Sequence, residues 1–206
     1  GNERMSELIF LFNLDATITA GEIFPMISSK MDGNILERMG VLTESTMSGK
    51  LPFKQNLLKR IELLKDIPVS EVNQMITDMP LNEKLVDFIR RYRDRCYIVT
   101  ANLDIWIEGL IKKIGMEKNV FSSKALMMDD RLQNVLSIVD KNAVISQMVM
   151  PFAAIGNGNN DAEMIEAAQI GIGYGEICDI APSVLDCADY AVYKEEKLVE
   201  FLEKLI

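Results

Sequence analysis

Five short apolar runs alternate with helical patterns along this 206-residue chain, and this alternation restricts its possible folds more than any other feature. The runs have the length of buried strands and lie at 8–12, 97–99, 152–155, 170–172 and 190–192. Strands that alternate with helices form a parallel sheet covered on both faces, with active sites at the carboxyl ends of the strands. We therefore predict an α/β fold with a three-layer core.

Residues 20–79 interrupt the alternation. They contain several amphipathic helical patterns separated by glycines, and no convincing strand. We predict a helical insert between the first and second strands of the sheet. Residues 123–139 indicate a short hairpin around Asp129 and Asp130.

The composition excludes several kinds of chemistry and partner. The chain has 22 basic and 31 acidic side chains and a formal charge of −9, which argues against nucleic acid or an anionic membrane as the main partner. A small charged metabolite remains possible, because a local pocket can oppose the overall sign. The absence of histidine excludes Ser-His and Cys-His catalysis and histidine-ligated zinc, so acid–base chemistry falls to carboxylates and lysines.

The cysteines and the apolar runs predict the compartment. Cys96, Cys178 and Cys187 include no closely spaced pair, which favours buried thiols in a reducing cytoplasm over a disulfide framework. No apolar run reaches the roughly 18 residues needed to span a bilayer. The N-terminal stretch GNERMSE is polar, unlike a secretion signal. We expect a cytoplasmic protein without a membrane partner, and the number of subunits stays open.

The first apolar run ends in polar residues that have a known chemical use. Two carboxylates two residues apart at a strand end lie on one side of the extended chain, where one can attack phosphorus. Here the stretch from Asn13 to Thr17 reads N-L-D-A-T, with an amide at the first position and Asp15 at the third. A polar strand end that enters a turn is the alternative interpretation.

Three further motifs follow in order along the chain. Thr100 ends the second run, where a hydroxyl can bind a phosphate oxygen, and Lys141 begins a helix, where an ammonium can neutralise phosphate charge. The stretch GNGNNDAEM, which starts at Gly156, joins a strand to a helix that opens near Asp161. A strand-ending threonine or a surface lysine means little alone, so the signal lies in the combination.

In these motifs the chain resembles the haloacid dehalogenase superfamily of aspartate-nucleophile phosphatases, and within it the phosphoserine phosphatase-like branch. The resemblance covers nearly the whole chain, including the stretch MSGKLPFKQNLLKRIELLKDIP in the helical insert. It implies a Rossmann-like core at residues 1–19 and 80–206, with a small helical cap at 20–79 that closes over a small phosphorylated metabolite.

The resemblance also implies roles for the residues of the motifs. Asn13 occupies the position of the nucleophile, and Asp15 that of the general acid and base. Thr100 and Lys141 orient and neutralise the phosphoryl group, and Asn160 contacts it.

A magnesium ion is implied beside these residues. Its ligands by resemblance are the side chain at Asn13, the backbone carbonyl of Asp15 and the side chain at Asn157, and Asp161 supports them.

The substrate positions of the cap are implied in the same way. Glu22 matches the residue that takes the substrate amine, and Arg60 the one that takes its carboxylate. Met47 and Phe53 match apolar lid contacts. Surface charges and ordinary cap core are the alternative interpretations of these four residues.

Several positions depart from the family pattern. Ala101 and Asn102 stand where that branch usually has glycines, so a side chain lies beside the expected substrate path. Both magnesium-facing carboxylates are amides, Asn13 and Asn157. An amide oxygen cannot form an acyl-phosphate, and a hard dication prefers anionic oxygen, so we expect impaired hydrolysis and weak or absent magnesium binding.

Two functional classes remain open. One is a phosphoserine phosphatase-like hydrolase that has lost its carboxylates or regains one by deamidation at the Asn157–Gly158 pair. The other is a pseudophosphatase that binds a phosphorylated ligand or a protein partner without turning it over.

Overall fold

A computed structural model of the chain describes residues 8–206 and has an α/β architecture. The predicted lack of a secretion signal at residues 1–7 lies outside the described residues. The strands are β1 (Ile9–Phe12), β2 (Cys96–Leu103), β3 (Val120–Met128), β4 (Arg131–Ser137), β5 (Phe152–Gly156), β6 (Ile170–Tyr174) and β7 (Tyr190–Val192).

The helices fall into a group before β2 and a group after it. The first group is α1 (Ile23–Ser29), α2 (Gly33–Ser48), α3 (Phe53–Leu64), α4 (Val69–Thr77) and α5 (Glu83–Arg91). The second group is α6 (Asp104–Ile114), α7 (Lys141–Ser146), α8 (Ala162–Ala167), α9 (Pro182–Leu185) and α10 (Glu195–Glu203).

The strands form one seven-stranded sheet in the order β4-β3-β2-β1-β5-β6-β7. Every neighbouring pair is parallel except β3 and β4, which form an antiparallel hairpin. The carboxyl ends of β2, β1, β5 and β6 therefore meet at one edge of the sheet, where parallel α/β sheets bind ligands. The predicted α/β fold with a mostly parallel sheet is confirmed.

The central strand β1 is buried on both faces. Phe10 and Phe12 belong to one apolar cluster, and Ile9 and Leu11 belong to a second cluster on the opposite face. Successive side chains of a strand point to opposite faces, so helices cover both sides of β1. The residues that follow Phe12 therefore start from a firmly held strand end.

The helical segment between β1 and α5 leaves the sheet and returns to it at one place. Thr19 and Leu81 form an isolated antiparallel bridge, and the Ala20 N–H donates to the carbonyl of Pro80 at 2.9 Å. Helices α1 to α4 lie between these two crossing points, which agrees with an inserted helical segment. The division into a core and a cap at residues 19 and 80 stays a prediction.

The hairpin of β3 and β4 turns at Asp129 and Asp130, as the sequence predicts. Both residues have positive φ angles, 50° and 59°, in the left-handed region that aspartate tolerates in tight turns. The Asp130 carboxylate accepts the Ser70 N–H at 2.9 Å, and the Asp130 carbonyl accepts the Val69 N–H at 2.8 Å. The hairpin tip thereby caps α4, whose own N-cap residue, Pro68, supplies no side-chain hydrogen bond.

Two smaller observations concern the membrane and thiol predictions. Between residues 8 and 206, no helix combines the length and the apolar character that crossing a membrane requires. All three cysteines are free. Cys96 is buried, but Cys178 and Cys187 are partly exposed, so the prediction that all three are buried is wrong for these two, which lie in connections outside the sheet.

Candidate active site

A cavity of about 90 Å³ lies at the carboxyl ends of the strands, where the helical segment meets the sheet. We call the residues from strand ends and their loops the strand wall: Asn13, Asp15, Ala16, Thr100, Ala101, Asn102, Asn157, Gly158, Asn160 and Cys178. We call the residues from the N-terminus of α1 and from α2 and α3 the helix wall: Glu22, Phe24, Thr43, Thr46, Met47, Phe53, Leu57 and Arg60.

The structure brings most of the sequence-predicted site residues together. Those that line the cavity are Asn13, Asp15, Glu22, Met47, Phe53, Arg60, Thr100, Ala101, Asn157 and Asn160. The other two, Lys141 and Asp161, do not line it. They form a buried ion pair, and Lys141 borders a neighbouring cleft that shares Phe53, Ala101 and Asn160 with the cavity.

Asn13 lies at the centre of a chain of side-chain hydrogen bonds. It follows β1 directly, and its backbone N–H continues the sheet by donating to Ile155 at 2.9 Å. Its side-chain Nδ2 donates to the carbonyl of Asp15 at 2.8 Å and to Oδ1 of Asn157 at 3.1 Å. The Asn157 Nδ2 in turn donates to Cys178 Sγ at 2.7 Å. We call Asn13, Asn157 and Cys178 the amide chain.

The amide chain does not fit the implied magnesium ion. Two of the oxygens implied as ligands, the Asp15 carbonyl and Asn157 Oδ1, accept hydrogens of the Asn13 amide instead. The third position carries that same neutral amide, which supplies no anionic oxygen. Within residues 8–206, no three His, Cys, Asp or Glu side chains are grouped to hold a metal ion.

Asp15 is the carboxylate of the strand wall. Its Oδ1 accepts the N–H of Ile23, the first residue of α1, at 2.8 Å. Burial raises the pKa of the Asp15 carboxyl to about 6, and the charge of Glu22 adds to the rise, whereas the Ile23 hydrogen bond and the charge of Arg60 oppose it. A carboxyl that titrates near pH 6 can give or take a proton close to neutral pH.

A sharp turn places the Asp15 side chain under α1. Ala16 has a φ angle of 58°, a left-handed conformation that is uncommon for a residue with a Cβ. The Ala16 N–H donates to the hydroxyl of Thr19 at 2.9 Å, which holds the turn. Thr17 and Thr19 are both fully buried. Because the Thr19 hydroxyl is buried and holds the turn, it has a structural role.

A bulge in β2 explains why consecutive residues of that strand face the cavity. The pairing with β3 passes from Thr100–Ser122 directly to Leu103–Ser123, so Ala101 and Asn102 have no partner. A bulge redirects side chains that would otherwise alternate between the two faces. Sequence patterns predicted a strand of only three residues here, which is too short, but the expectation that Ala101 and Asn102 place side chains beside the substrate path agrees with the cavity lining.

The ion pair of Lys141 and Asp161 supports the loop after β5. Asp161 is fully buried, and its Oδ2 accepts the N–H groups of Asn157 at 3.1 Å and Gly158 at 3.0 Å. A Cβ at Gly156 would lie 2.6 Å from the Asp161 carboxylate carbon, so this position requires glycine. The Asp161 carboxylate thus holds the loop that carries Asn157, and the Lys141 ammonium is bound to that carboxylate.

The helix wall contains buried polar atoms without partners. The Arg60 side chain lies over the Phe24 ring, 4.9 Å from its centroid, and is 7% exposed. Burial lowers the pKa of the Arg60 guanidinium, and the charges of Asp15 and Glu22 oppose this. Among the described residues, the buried Nε of Arg60 and the buried hydroxyl of Thr43 both lack a hydrogen-bond partner.

One asparagine joins the two walls. The Nδ2 of Asn159 donates to the carbonyls of Thr46 at 2.7 Å and Met47 at 3.3 Å, in the last turn of α2. The Ser183 hydroxyl donates to Oδ1 of the same side chain. Asn159 therefore ties the loop after β5 to the C-terminus of α2 beside the cavity.

Sequence reasoning missed three polar residues of the cavity: Thr43, Thr46 and Cys178. Only Thr43 had a usable signal, because it lies four residues before Met47 and hence on the same face of a helix. Burial raises the pKa of the Cys178 thiol to about 12, and the charges of Glu22 and Asp15 add to this, so the thiol is neutral and a poor nucleophile.

Comparisons with known proteins find phosphoserine phosphatases among the chains similar to this one. No family model matches the chain. A phosphoserine phosphatase of Methanocaldococcus jannaschii is 27% identical over 209 residues, covering 94% of this chain and 95% of the relative. A phosphoserine phosphatase of Archaeoglobus fulgidus is 25% identical, covering 91% of this chain and 57% of the relative.

A solved structure, a substrate-bound phosphoserine phosphatase complex, superposes on this chain with a TM-score of 0.79 at 25% identity and covers 96% of this chain and 98% of that one. The predicted resemblance to the phosphoserine phosphatase-like branch of the haloacid dehalogenase superfamily is confirmed. The strand ends that carry the motifs of this resemblance form the strand wall, with amides at Asn13 and Asn157.

Proposed function

We propose that this protein is a phosphoserine phosphatase-like phosphomonoesterase whose hydrolysis is impaired, and that its cavity takes a small phosphorylated metabolite. The single observation that carries the proposal is the state of Asn13. The residue at the nucleophile position is a buried amide whose nitrogen donates to the Asp15 carbonyl and to Asn157. A side chain fixed in this way offers phosphorus no carboxylate.

The charges of the cavity support a small zwitterionic phosphomonoester. Glu22 and Arg60 both line it. The Nε of buried Arg60 has no partner in the described part of the chain, so an anionic group of the ligand would satisfy it. A volume of about 90 Å³ suits a metabolite rather than a polymer. Met47 and Phe53 supply the apolar contacts. Residues 20–79 would then act as the cap.

The remaining groups can still assist a proton transfer. Asp15, with a pKa near 6, can donate a proton to a leaving oxygen at neutral pH or below. Thr100 and Asn160 offer hydrogen-bond donors for phosphoryl oxygens on the same wall. A magnesium ion, where bound in such an enzyme, supplies charge neutralisation at the phosphoryl group, but the amide chain is not arranged to hold one.

The second candidate is a pseudophosphatase that binds the phosphorylated ligand without turnover. The amide chain favours this second candidate, because the Asn13 and Asn157 side chains are hydrogen-bonded within the protein. They are also neutral, so no metal is needed to neutralise facing carboxylates. The two candidates share the ligand and differ in turnover.

Binding and turnover are measured separately to test the proposal. Calorimetric titration of O-phospho-L-serine in the presence of a chelator should show binding, and a phosphate-release assay with magnesium should show slow release. No detectable release would leave the pseudophosphatase. Phosphate release as fast as that of an active phosphatase of this branch would contradict impaired hydrolysis. Failure to bind any small phosphomonoester would contradict the proposed ligand class.

A further inference from the structure

Thr43 differs from its neighbours on α2 in the partner of its hydroxyl. A threonine or serine within a helix commonly bonds to the carbonyl four residues earlier. The Ser45 hydroxyl does so with Val41 at 3.0 Å, and the Thr46 hydroxyl lies 3.1 Å from the Leu42 carbonyl. The Thr43 hydroxyl makes no such bond and lines the cavity with its oxygen buried.

The pairing of α2 with α3 places Thr43 near Arg60. The helices are joined by residues 49–52, so they run antiparallel. Thr46 near the end of α2 donates to Oδ1 of Asn56 near the start of α3 at 2.7 Å. Thr43 lies about one helical turn before Thr46 on α2, and Arg60 lies about one turn after Asn56 on α3. Thr43 and Arg60 therefore lie on the facing sides of the two helices, and both line the cavity.

Two unsatisfied groups on facing helices of one cavity indicate a missing partner. A buried donor without an acceptor is costly, so native proteins seldom keep one unless a ligand or water completes it. The guanidinium offers only donors, and a hydroxyl can donate as well. An acceptor with more than one oxygen satisfies both at once.

We propose that Thr43 is a substrate-contacting, specificity-determining residue whose hydroxyl donates to the carboxylate that Arg60 binds. The inference rests on the proposed function, because it needs a phosphorylated ligand in this cavity. It assigns the preference for a carboxylate-bearing phosphomonoester to two helices of the cap segment rather than to Arg60 alone.

The test uses two ligands that differ only in this carboxylate. The wild type and the isosteric variant Thr43→Val are each titrated by calorimetry in the presence of a chelator. The two ligands are O-phospho-L-serine and O-phosphoethanolamine. We expect the variant to bind phosphoserine about ten-fold more weakly, a loss typical of one hydrogen bond to a charged group. Its affinity for phosphoethanolamine should stay unchanged, and Thr43→Ser should restore most of the phosphoserine affinity.

Thermal denaturation separates this role from a structural one. Thr43→Val removes a buried hydroxyl without a partner, so its melting temperature should equal or exceed that of the wild type. Thr46→Val is the matched control, because it deprives Asn56 of a hydrogen bond and should lower the melting temperature.

The outcomes distinguish the inference from the proposed function. A wild type that binds phosphoserine while Thr43→Val binds it equally well would overturn the inference alone. Equal weakening of both ligands would also overturn it, because the contact would then not involve the carboxylate. A wild type that binds neither ligand would overturn the proposed function and the inference with it.

Discussion

The two walls of the cavity satisfy their polar groups in opposite ways. On the strand wall, Asn13 and Asn157 bond to each other, to the Asp15 carbonyl and to Cys178. On the helix wall, Arg60 Nε and the Thr43 hydroxyl are buried and find no partner among residues 8–206. The amide chain of the strand wall is therefore bonded within the protein, whereas two buried groups of the helix wall await a ligand. Substitutions on the strand wall should therefore change chemistry or stability, and substitutions on the helix wall should change binding.

The largest effect is expected from returning both carboxylates to the strand wall. Asn13→Asp with Asn157→Asp removes the amide hydrogens and brings carboxylate oxygens against the Asp15 carbonyl, so the wall should require a cation. Magnesium should then raise the melting temperature of the double variant and leave that of the wild type unchanged. Phosphate release from phosphoserine should rise by about a thousand-fold or more, since losing a nucleophile costs about a million-fold elsewhere.

A single variant and a triple variant control this experiment. Asn157→Asp alone lacks the nucleophile and should stay slow. Adding Asp15→Asn to the double variant should remove the acid and abolish the gain. A double variant that neither gains activity nor responds to magnesium would mean that the strand wall cannot be returned to the family chemistry.

The next effect concerns the support of the strand wall. Asp161→Ala removes the partner of buried Lys141 and the acceptor of two backbone N–H groups. The free energy of unfolding, measured by urea denaturation, should fall by about 3–5 kcal/mol. A double variant that also carries Lys141→Met should recover part of the loss, because no unpaired charge is left buried. A loss below about 1 kcal/mol would show that the loop after β5 does not depend on this pair.

A pH-dependent effect is expected at Asp15. Burial raises its pKa to about 6 in the folded protein, so the folded state binds this proton more tightly than the unfolded chain. The ionised carboxyl therefore costs stability above pH 6 and nothing below about pH 4. Asp15→Asn, which can still accept the Ile23 N–H, should raise the melting temperature by several degrees at pH 7 and leave it unchanged near pH 4.

Melting curves at half-unit pH steps would follow this difference. It should grow between pH 4 and pH 6 and then level off. A constant difference at every pH would show that Asp15 does not titrate abnormally.

The smallest effect is expected where the walls are joined. Asn159→Ala removes the bonds to the carbonyls of Thr46 and Met47, which should cost about 1 kcal/mol of stability and speed ligand release a few-fold in stopped-flow experiments. Ser183→Ala keeps both bonds and should leave release unchanged. Equal release rates in the two variants would show that Asn159 does not restrain the helix wall.

The order of strands and helices was predictable from the sequence because the apolar runs and helical periods are local. The carboxyl-end position of Asn13, Thr100 and Asn157 follows from strand order alone, since parallel strands end at one edge. Three features were not predictable: the bulge at Ala101 and Asn102, the free hydroxyl of Thr43, and the binding of Lys141 to Asp161. Each depends on a contact between distant segments or on the rotation of one side chain.

The bridge between Thr19 and Leu81 has a consequence for how such proteins diversify. The chain leaves the sheet region at Thr19 and returns at Leu81, and the bridge holds these two points next to each other. An exchange of the segment between them would therefore leave the order of the strands unchanged. Transplanting residues 20–79 between relatives should therefore transfer ligand preference as one unit.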